Sequence, residues 1–301
     1  MFINVYCVTL MTVYTKSDNV DDHIVDLEKV FKELDKHGVK IKASKLKLGC
    51  KQMPFLGIII TPDGMIPNPE KIKAITALEY PKTIKQLRRV LGMFAYYRRF
   101  IPKFSEKAAP LYAQTKKNCQ NKRNARGIIL TNESKRAFEE LKLAITSEPI
   151  ILHYPDWTKP FEIHCDASSE AVAAILSQQI DGVEKVIMYA SKTLNPVERR
   201  YHTYEQECLA VVWAVEVFKK YIRNRKTVVM TDCSALQWLK TRIEGSRVMR
   251  WIMKLQEFDL EIKHQKSTNA DGLTRESVQK SHMERVPLRD SRTYCSTIEV
   301  A

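Results

Sequence analysis

The sequence predicts an α/β fold from three observations. Short β-branched apolar runs recur along the chain, several beside turn residues. Between them lie stretches whose apolar residues follow helical spacing. The composition is that of a packed protein, with 44% hydrophobic and 28% charged residues in a chain of 301. That length suits about two domains. No internal repeat is visible, and no run of about 18 apolar residues suggests a membrane span.

The chain opens "MFINVYCVTLMTVYTKS", apolar as far as Tyr14. It lacks a basic n-region and a small-residue cleavage site and contains Asn4, so it reads as strand rather than signal peptide. Ile24, Leu27, Phe31 and Leu34 follow helical spacing, with Asp21 and Asp22 in the first turn, where acids suit the helix dipole. His37-Gly38 ends that helix. "MPFLGIIITPDGMIPNP" reads as a hairpin around Pro62-Asp63-Gly64. Asn68 and Pro69 start the next helix as N-cap and first helical residue. Thr83 and Gln86 form a capping-box pattern ahead of Leu87, Val90, Leu91 and Phe94. "NCQNKRNARG" is polar and basic, the pattern of a loop or linker. A helix is expected over about 134–147.

From Phe161 the pattern changes. "FEIHCDAS", "AVAAILSQQ" and "EKVIMYASKTL" read as strands. A long helix follows, with Cys208, Val211, Val212 and Val215 as its apolar stripe. "KTVVMTDCSAL" is a fourth strand, "SRVMRWIMKLQEF" a basic amphipathic helix, and "LEIKH" a fifth strand. "NADGLTR" opens a last helical turn, and beyond about Ser277 the chain is polar without clear periodicity.

Lys and Arg number 49 against 35 Asp and Glu, a formal net charge of +14. That excess favours a polyanionic partner, most often nucleic acid. Seven cysteines (Cys7, Cys50, Cys119, Cys165, Cys208, Cys233 and Cys295) form no CxxC pair and are odd in number, so neither a zinc site nor a disulfide framework is suggested. A reducing compartment fits them best.

Four acids stand beside apolar sequence in the second half. Asp166 and Asp232 end strands, Glu207 lies at the edge of a helix stripe, and Asp271 begins the last helical turn. Drawn together, they would need neutralising, because packed carboxylates repel. Mg²⁺ prefers such oxygen ligands, and two ions about 4 Å apart can clamp the attacking and leaving oxygens of a phosphodiester. Each acid alone is more often a cap or turn residue.

Two basic surfaces are candidates for nucleic acid. Arg88, Arg89, Arg98, Arg99 and Lys103 interleave with Phe94, Tyr96, Tyr97 and Phe100, as a helix and turn tracking a duplex backbone would. The alternative is a core of aromatics beneath a solvated charged face, and Phe94 is read as core. Arg247, Arg250 and Lys254 line one side of the amphipathic helix, where they could contact phosphates.

"HCDASSEAVAAILSQ", "IMYASKTLNPVERRYHTYEQECLAVVWAV", "VVMTDCSALQWL" and "NADGLTR" resemble the ribonuclease H domain of gypsy-type LTR retrotransposon Pol polyproteins. "FLGIIITPDGMIPNPEKIKAI" and "LRRVLGMFAYYRRFIPKFSEKAAPL" resemble the end of the palm and the thumb of the same polyprotein's reverse transcriptase, and "AFEELKLAITSEPIILHYPDWTKPF" its connection. The resemblance runs in order from about Val5 to Arg275. It implies a palm remnant over 1–66, thumb-like helices over 67–118, a connection or linker over 119–158, an RNase H-like domain with a mixed five-stranded sheet over 159–276, and a polar tail over 277–301.

The resemblance also implies metal-dependent endonucleolytic cleavage of RNA in RNA:DNA hybrids. The family's Asp-Glu-Asp-Asp set maps to Asp166, Glu207, Asp232 and Asp271. Glu205 is the competing acid, but Glu207 directly precedes "CLAVVWA", where the family's acid lies. These residues would hold two Mg²⁺ ions, and Mn²⁺ also accepts oxygen ligands. Cys165, Cys208 and Cys233 read as core thiols, not ligands. His264 and the basic residues above would contact the nucleic acid. The expected partners are an RNA:DNA hybrid or another duplex and other Pol domains supplied in trans, with no membrane. The expected location is intracellular, either cytoplasmic in a virus-like particle or nuclear.

The family's Tyr-x-Asp-Asp turn falls on Cys7, Val8, Thr9 and Leu10, so both of its aspartates are replaced. The sequence also begins after the family's fingers and earlier palm aspartate. DNA polymerase activity is therefore expected to be lost. The family's His-x-Pro-Gly-like loop is shortened here to "HQKSTNAD", and glycines after the first Asp are replaced in "EAVAAIL". A second reading is a catalytically dead remnant that still binds nucleic acid. A third is an unstable remnant whose palm strands lack partners.

Overall fold

The apolar run at the start of the chain folds back on itself. In the computed structural model, β1 (Val5–Thr9) and β2 (Thr12–Ser17) are antiparallel, with Val8 opposite Val13 and Thr9 opposite Thr12. Cys7, Val8 and Thr9 are thus strand residues, whereas the resemblance puts them in a turn. Their β-branched neighbours favour extended backbone. The structure describes residues 5–9, 12–17, 19–43, 46–120, 128–146, 151–231, 246–264 and 294–299, and Leu10 lies outside them. Two units are distinguished, residues 1–68 with 284–301 and residues 69–283.

In the first unit, helix α1 (Val20–Lys36) is capped by Asn19, whose side chain accepts the Asp22 N–H at 2.8 Å. Its buried stripe is His23, Leu27 and Val30, with Phe31 and Leu34 at the edge. Ile24, expected on the stripe, is 51% exposed. Apolar periodicity misplaced the face because a histidine occupies one of its core positions. Strand β3 (Lys47–Cys50) follows, then the antiparallel β4 (Met53–Phe55), β5 (Ile58–Ile60) and β6 (Gly64–Pro67). The expected turn joins the last two, and the Thr61 hydroxyl donates to Gly64 O at 2.9 Å.

Within the stretch read as a polar tail, Tyr294–Glu299 form a C-terminal strand between β2 and β3, antiparallel to both. Ser296 is fully buried there. Its Oγ accepts the Gly49 N–H at 3.1 Å and lies 2.6 Å from His23 Nε2. His23 Nδ1 is 3.3 Å from Ser17 Oγ, which donates to Asp26 at 3.1 Å. A neutral imidazole protonated at Nδ1 satisfies every step of this chain, accepting from Ser296 and donating to Ser17. A buried serine at the middle of this strand interrupts the apolar alternation that would mark it in the sequence.

The second unit begins with α2 (Pro69–Thr76) and α3 (Ile84–Tyr96). The predicted capping box is formed: Gln86 N–H donates to Thr83 Oγ1 at 3.1 Å, and Thr83 N–H to Gln86 Oε1 at 3.2 Å. Leu87, Val90, Leu91 and Phe94 are buried as their spacing predicts. A short 3-10 turn (Arg98–Phe100) leads to α4 (Phe104–Gln120), which packs on α5 (Asn132–Thr146). Phe94 meets Phe138 of α5 edge-on, with ring centroids 5.8 Å apart. Asn118, Cys119 and Gln120, expected at the start of a linker, complete α4.

After β7 (Leu152–His153) come β8 (Phe161–Ala167), β9 (Ala171–Ile180), β10 (Val183–Thr193), α6 (Thr203–Ile222), β11 (Thr227–Thr231), α7 (Ser246–Leu255) and β12 (Leu260–His264). The sheet order is β10-β9-β8-β11-β12. The first three strands are antiparallel, and β11 runs parallel to β8 and β12. This is the expected mixed five-stranded sheet. Asp181 and Gly182, both at positive φ, make the two-residue turn between β9 and β10. Phe161 and Ile163 of β8, Leu176 of β9 and Val229 of β11 share one core with Val211, Val215 and Phe218 of α6 and Ile252 of α7.

Burial holds the His23 pKa below its ordinary 6.5, against an opposing pull from Asp26. A depressed imidazole contributes stability above the unfolded value and loses it as pH falls below about 6.5. Once the intrinsic rate, which itself falls with pH, is divided out, the protection of amides in β2, β3 and the C-terminal strand is therefore expected to fall between pH 7.5 and 5, and this His23 contribution should be absent in His23→Gln. Ser296→Val strands the buried His23 Nε2, removes the acceptor of the part-buried Gly49 N–H, and is expected to destabilise the first unit by about 1–3 kcal/mol. Native-state hydrogen exchange checks both.

Candidate active site

Strand β8 alternates strictly. Phe161, Ile163 and Cys165 face the α6 core, so Glu162, His164 and Asp166 share the opposite face. Asp166 lies opposite Ala173 of β9, near the strand's end, with its side chain 45% exposed. Glu207, in the second turn of α6, is buried beside Cys208.

Both acids lie near Cys165. Burial pushes its thiol far above the ordinary range, and the charges of Glu207 and then Asp166 push it further. Cys208 is fully buried. These two cysteines are core thiols, as expected, and Cys233 lies outside the described residues.

His164 lies with two more carboxylates, its Nε2 3.3 Å from Glu184 and 3.9 Å from Glu162. Burial alone would lower its pKa, but the two acids outweigh burial and hold it at about 9. At neutral pH the ring is a cation tying β8 to β10.

Glu205, the competing acid, is otherwise engaged. Its Oε2 accepts the His202 N–H at 3.2 Å, closing the α6 capping box. Its Oε1 accepts from Arg247 at 3.2 Å, and the Arg247 guanidinium lies 4.1 Å from the centre of the Tyr201 ring. Of the acids expected to hold metal, the structure therefore describes Asp166 and Glu207. Asp232 follows directly on the end of β11, and Asp271 lies beyond β12; both are outside the described residues, as is the side chain of His264. Among the described residues no group of three or more His, Cys, Asp or Glu side chains forms a metal site. The two acids nonetheless suit a hard cation, and one cation already meets Asp166: the Lys103 ammonium, 2.7 Å from Oδ2.

The basic residues divide by role. Arg88 and Arg89 are exposed on α3, and Arg250 and Lys254 on α7, opposite the buried Val248, Ile252 and Leu255. Arg98 donates to the Ser191 carbonyl and packs against the Phe104 ring. Arg99 is exposed beside a groove that Arg98, Tyr112, Lys192 and Trp213 also line. Phe94, Tyr97 and Phe100 are core, whereas Tyr96 is exposed. The partners of Lys103 and Arg247 carry no local sequence signal.

Residues 156–258 match the model of the RNase H-like domain found in reverse transcriptase. The chain is 35% identical over 285 residues to the retrovirus-related Pol polyprotein from transposon 297 of Drosophila melanogaster, covering 93% of this chain and 26% of that protein. With the Pol polyprotein from transposon gypsy of the same organism it shares 29% identity over 293 residues, covering 94% of this chain and 28% of that one. The chain belongs to the Pol polyproteins of LTR retrotransposons. It spans about a quarter of the length of these relatives. A solved foamy viral protease-reverse transcriptase in complex with RNA/DNA hybrid superposes with a TM-score of 0.70 at 25% identity, over 86% of this chain and 35% of that one. The same enzyme in complex with dsDNA superposes at 0.68 and 26% identity, over 85% and 53%. The mixed sheet with α6 and α7 is thus an RNase H-like fold.

Glu205→Ala removes both the cap bond and the Arg247 pair, and is expected to cost about 1 kcal/mol of stability. Glu205→Gln, which keeps an acceptor for the His202 N–H, should lose less than half of that. Urea denaturation of the two variants checks the difference.

Proposed function

We propose that the RNase H-like unit is a nuclease that hydrolyses the RNA strand of RNA:DNA hybrids, with Asp166, Glu207, Asp232 and Asp271 as its metal-binding acids. The observation that carries this reading is that a half-exposed Asp166 at the end of the central strand and a buried Glu207 on α6 each act electrostatically on Cys165. The fold match and the likeness to a reverse transcriptase solved with RNA/DNA hybrid support it. Two bound Mg²⁺ ions would supply an activated water and stabilise the leaving 3′ oxygen.

The chain's own part is to orient and to hold. Burial in α6 restricts the rotamers of Glu207, while Asp166 projects toward solvent where a backbone phosphate can approach. Arg88, Arg89, Arg99, Arg250 and Lys254 supply exposed positive charge for that backbone, with its expected salt dependence. Arg98 and Arg247, tied to Ser191 and Glu205, shape the surface beside it. The same reading assigns no polymerase chemistry to residues 7–10, since Thr9 and Leu10 bring no carboxylate.

A second reading, binding without cleavage, is favoured by the ammonium already seated on Asp166. Cleavage of a labelled hybrid by the full chain separates the two. Product that requires Mg²⁺, disappears in EDTA, and falls at least about 100-fold in Asp166→Asn, Glu207→Gln and Asp232→Asn is the expected result, on the scale of losing one electrostatic stabiliser. Salt-dependent hybrid binding with no product at any Mg²⁺ concentration would leave the second reading standing.

A further inference from the structure

We infer that Lys103 is a built-in cation plug: its ammonium occupies the side of Asp166 that a divalent ion would use, so metal binds only by displacing it. This rests on the reading of Asp166 as a metal ligand.

The position of Lys103 is fixed by the fold. Its backbone is left-handed, with φ of 51°, a conformation that an unbranched charged residue adopts at some cost and keeps only where its surroundings demand it. Its carbonyl accepts the N–H groups of Glu106 and Lys107 at 3.1 and 3.2 Å, starting α4. The next residues pin that helix end to β10. Phe104 is buried, Ser105 N–H donates to Ser191 Oγ at 2.9 Å, and Ser191 Oγ donates to Ser105 Oγ at 3.1 Å. Ser191 lies opposite Ala173, which in turn lies opposite Asp166, so the anchor and the carboxylate sit in one row across the sheet. The Lys103 side chain is 31% exposed, with its ammonium 2.7 Å from Asp166 Oδ2.

A surface lysine on a mobile arm would exchange readily with bulk cations. Here helix, turn and sheet bring the ammonium to Asp166 Oδ2. A unit positive charge this close repels a second cation approaching the same lone pairs, and a divalent ion must displace it to bind there. Removing the ammonium should therefore tighten metal binding by about tenfold or more.

The test is Mn²⁺ binding to the full chain, followed by electron paramagnetic resonance of the free ion, with no nucleic acid present. Lys103→Asn removes the charge and suits the left-handed backbone, and Lys103→Gly is a second neutral variant for the same φ. Both are expected to bind Mn²⁺ about tenfold more tightly than the parent, while Lys103→Arg binds as weakly as the parent. Circular dichroism melts without metal confirm that each variant is folded. Asp166→Asn should weaken binding and abolish the gain from Lys103→Asn in the double variant. If the neutral variants bind no more tightly while Asp166→Asn still weakens binding, the plug is refuted and the reading of Asp166 survives. If Asp166→Asn leaves Mn²⁺ affinity unchanged, that reading itself fails.

Discussion

Side chains on β8 must alternate, and both of its faces are occupied. Phe161 and Ile163 are drawn into the core under α6, which forces Glu162, His164 and Asp166 to the other face. A slip of one residue in register would bury three ionisable groups and expose three apolar ones, so the hydrophobic core itself fixes where Asp166 projects. The parallel pairing with β11 sets Val229 beside Ile163 in the same layer. The carboxylate therefore owes its position to packing on the far side of its own strand. His164 reinforces that register by holding Glu184 of β10 and Glu162 to one charged centre.

The opposite face of the sheet is where the helical half of the larger unit meets it. The start of α4 is tied to β10 through Ser105 and Ser191, and Arg98 reaches the Ser191 carbonyl from the preceding turn. Short hydroxyls at the crossing let the backbones approach closely. Phe94, Tyr97, Phe100 and Phe104 are buried behind them, so four aromatic residues of this stretch are structural interior, while Tyr96 and the arginines between them lie at its surface.

Much of this was legible in the sequence, wherever the signal was local. The Thr83–Gln86 capping box, the Pro62-Asp63-Gly64 turn and the strands and stripe of the RNase H-like unit each follow from spacing within one element. Pairings between distant residues left no such mark. His23 reads as a polar interruption until Ser17 and Ser296 are placed against it. Tyr294–Glu299 read as tail because a buried serine interrupts the apolar alternation that would mark that strand. The C-terminal strand pairs with both β2 and β3 and leaves β1 and β3 as the edges of that sheet among the described residues. Lys103 and Asp166, and Arg247 and Glu205, are joined only in three dimensions.

The thiol between the two described acids bears on which cation the proposed site would take. Cysteine becomes a strong, soft ligand only as a thiolate. Cys165 is partly buried, and Glu207 and Asp166 each add negative potential at its sulfur, so ionisation there would place a third negative charge beside two carboxylates. The thiol stays protonated and fills volume as a small apolar group. Among the described residues, the acids expected to hold metal offer carboxylate oxygens, the donors that Mg²⁺ and Mn²⁺ accept. The same two carboxylates that would bind the metal thus also keep their sulfur neighbour from competing for it.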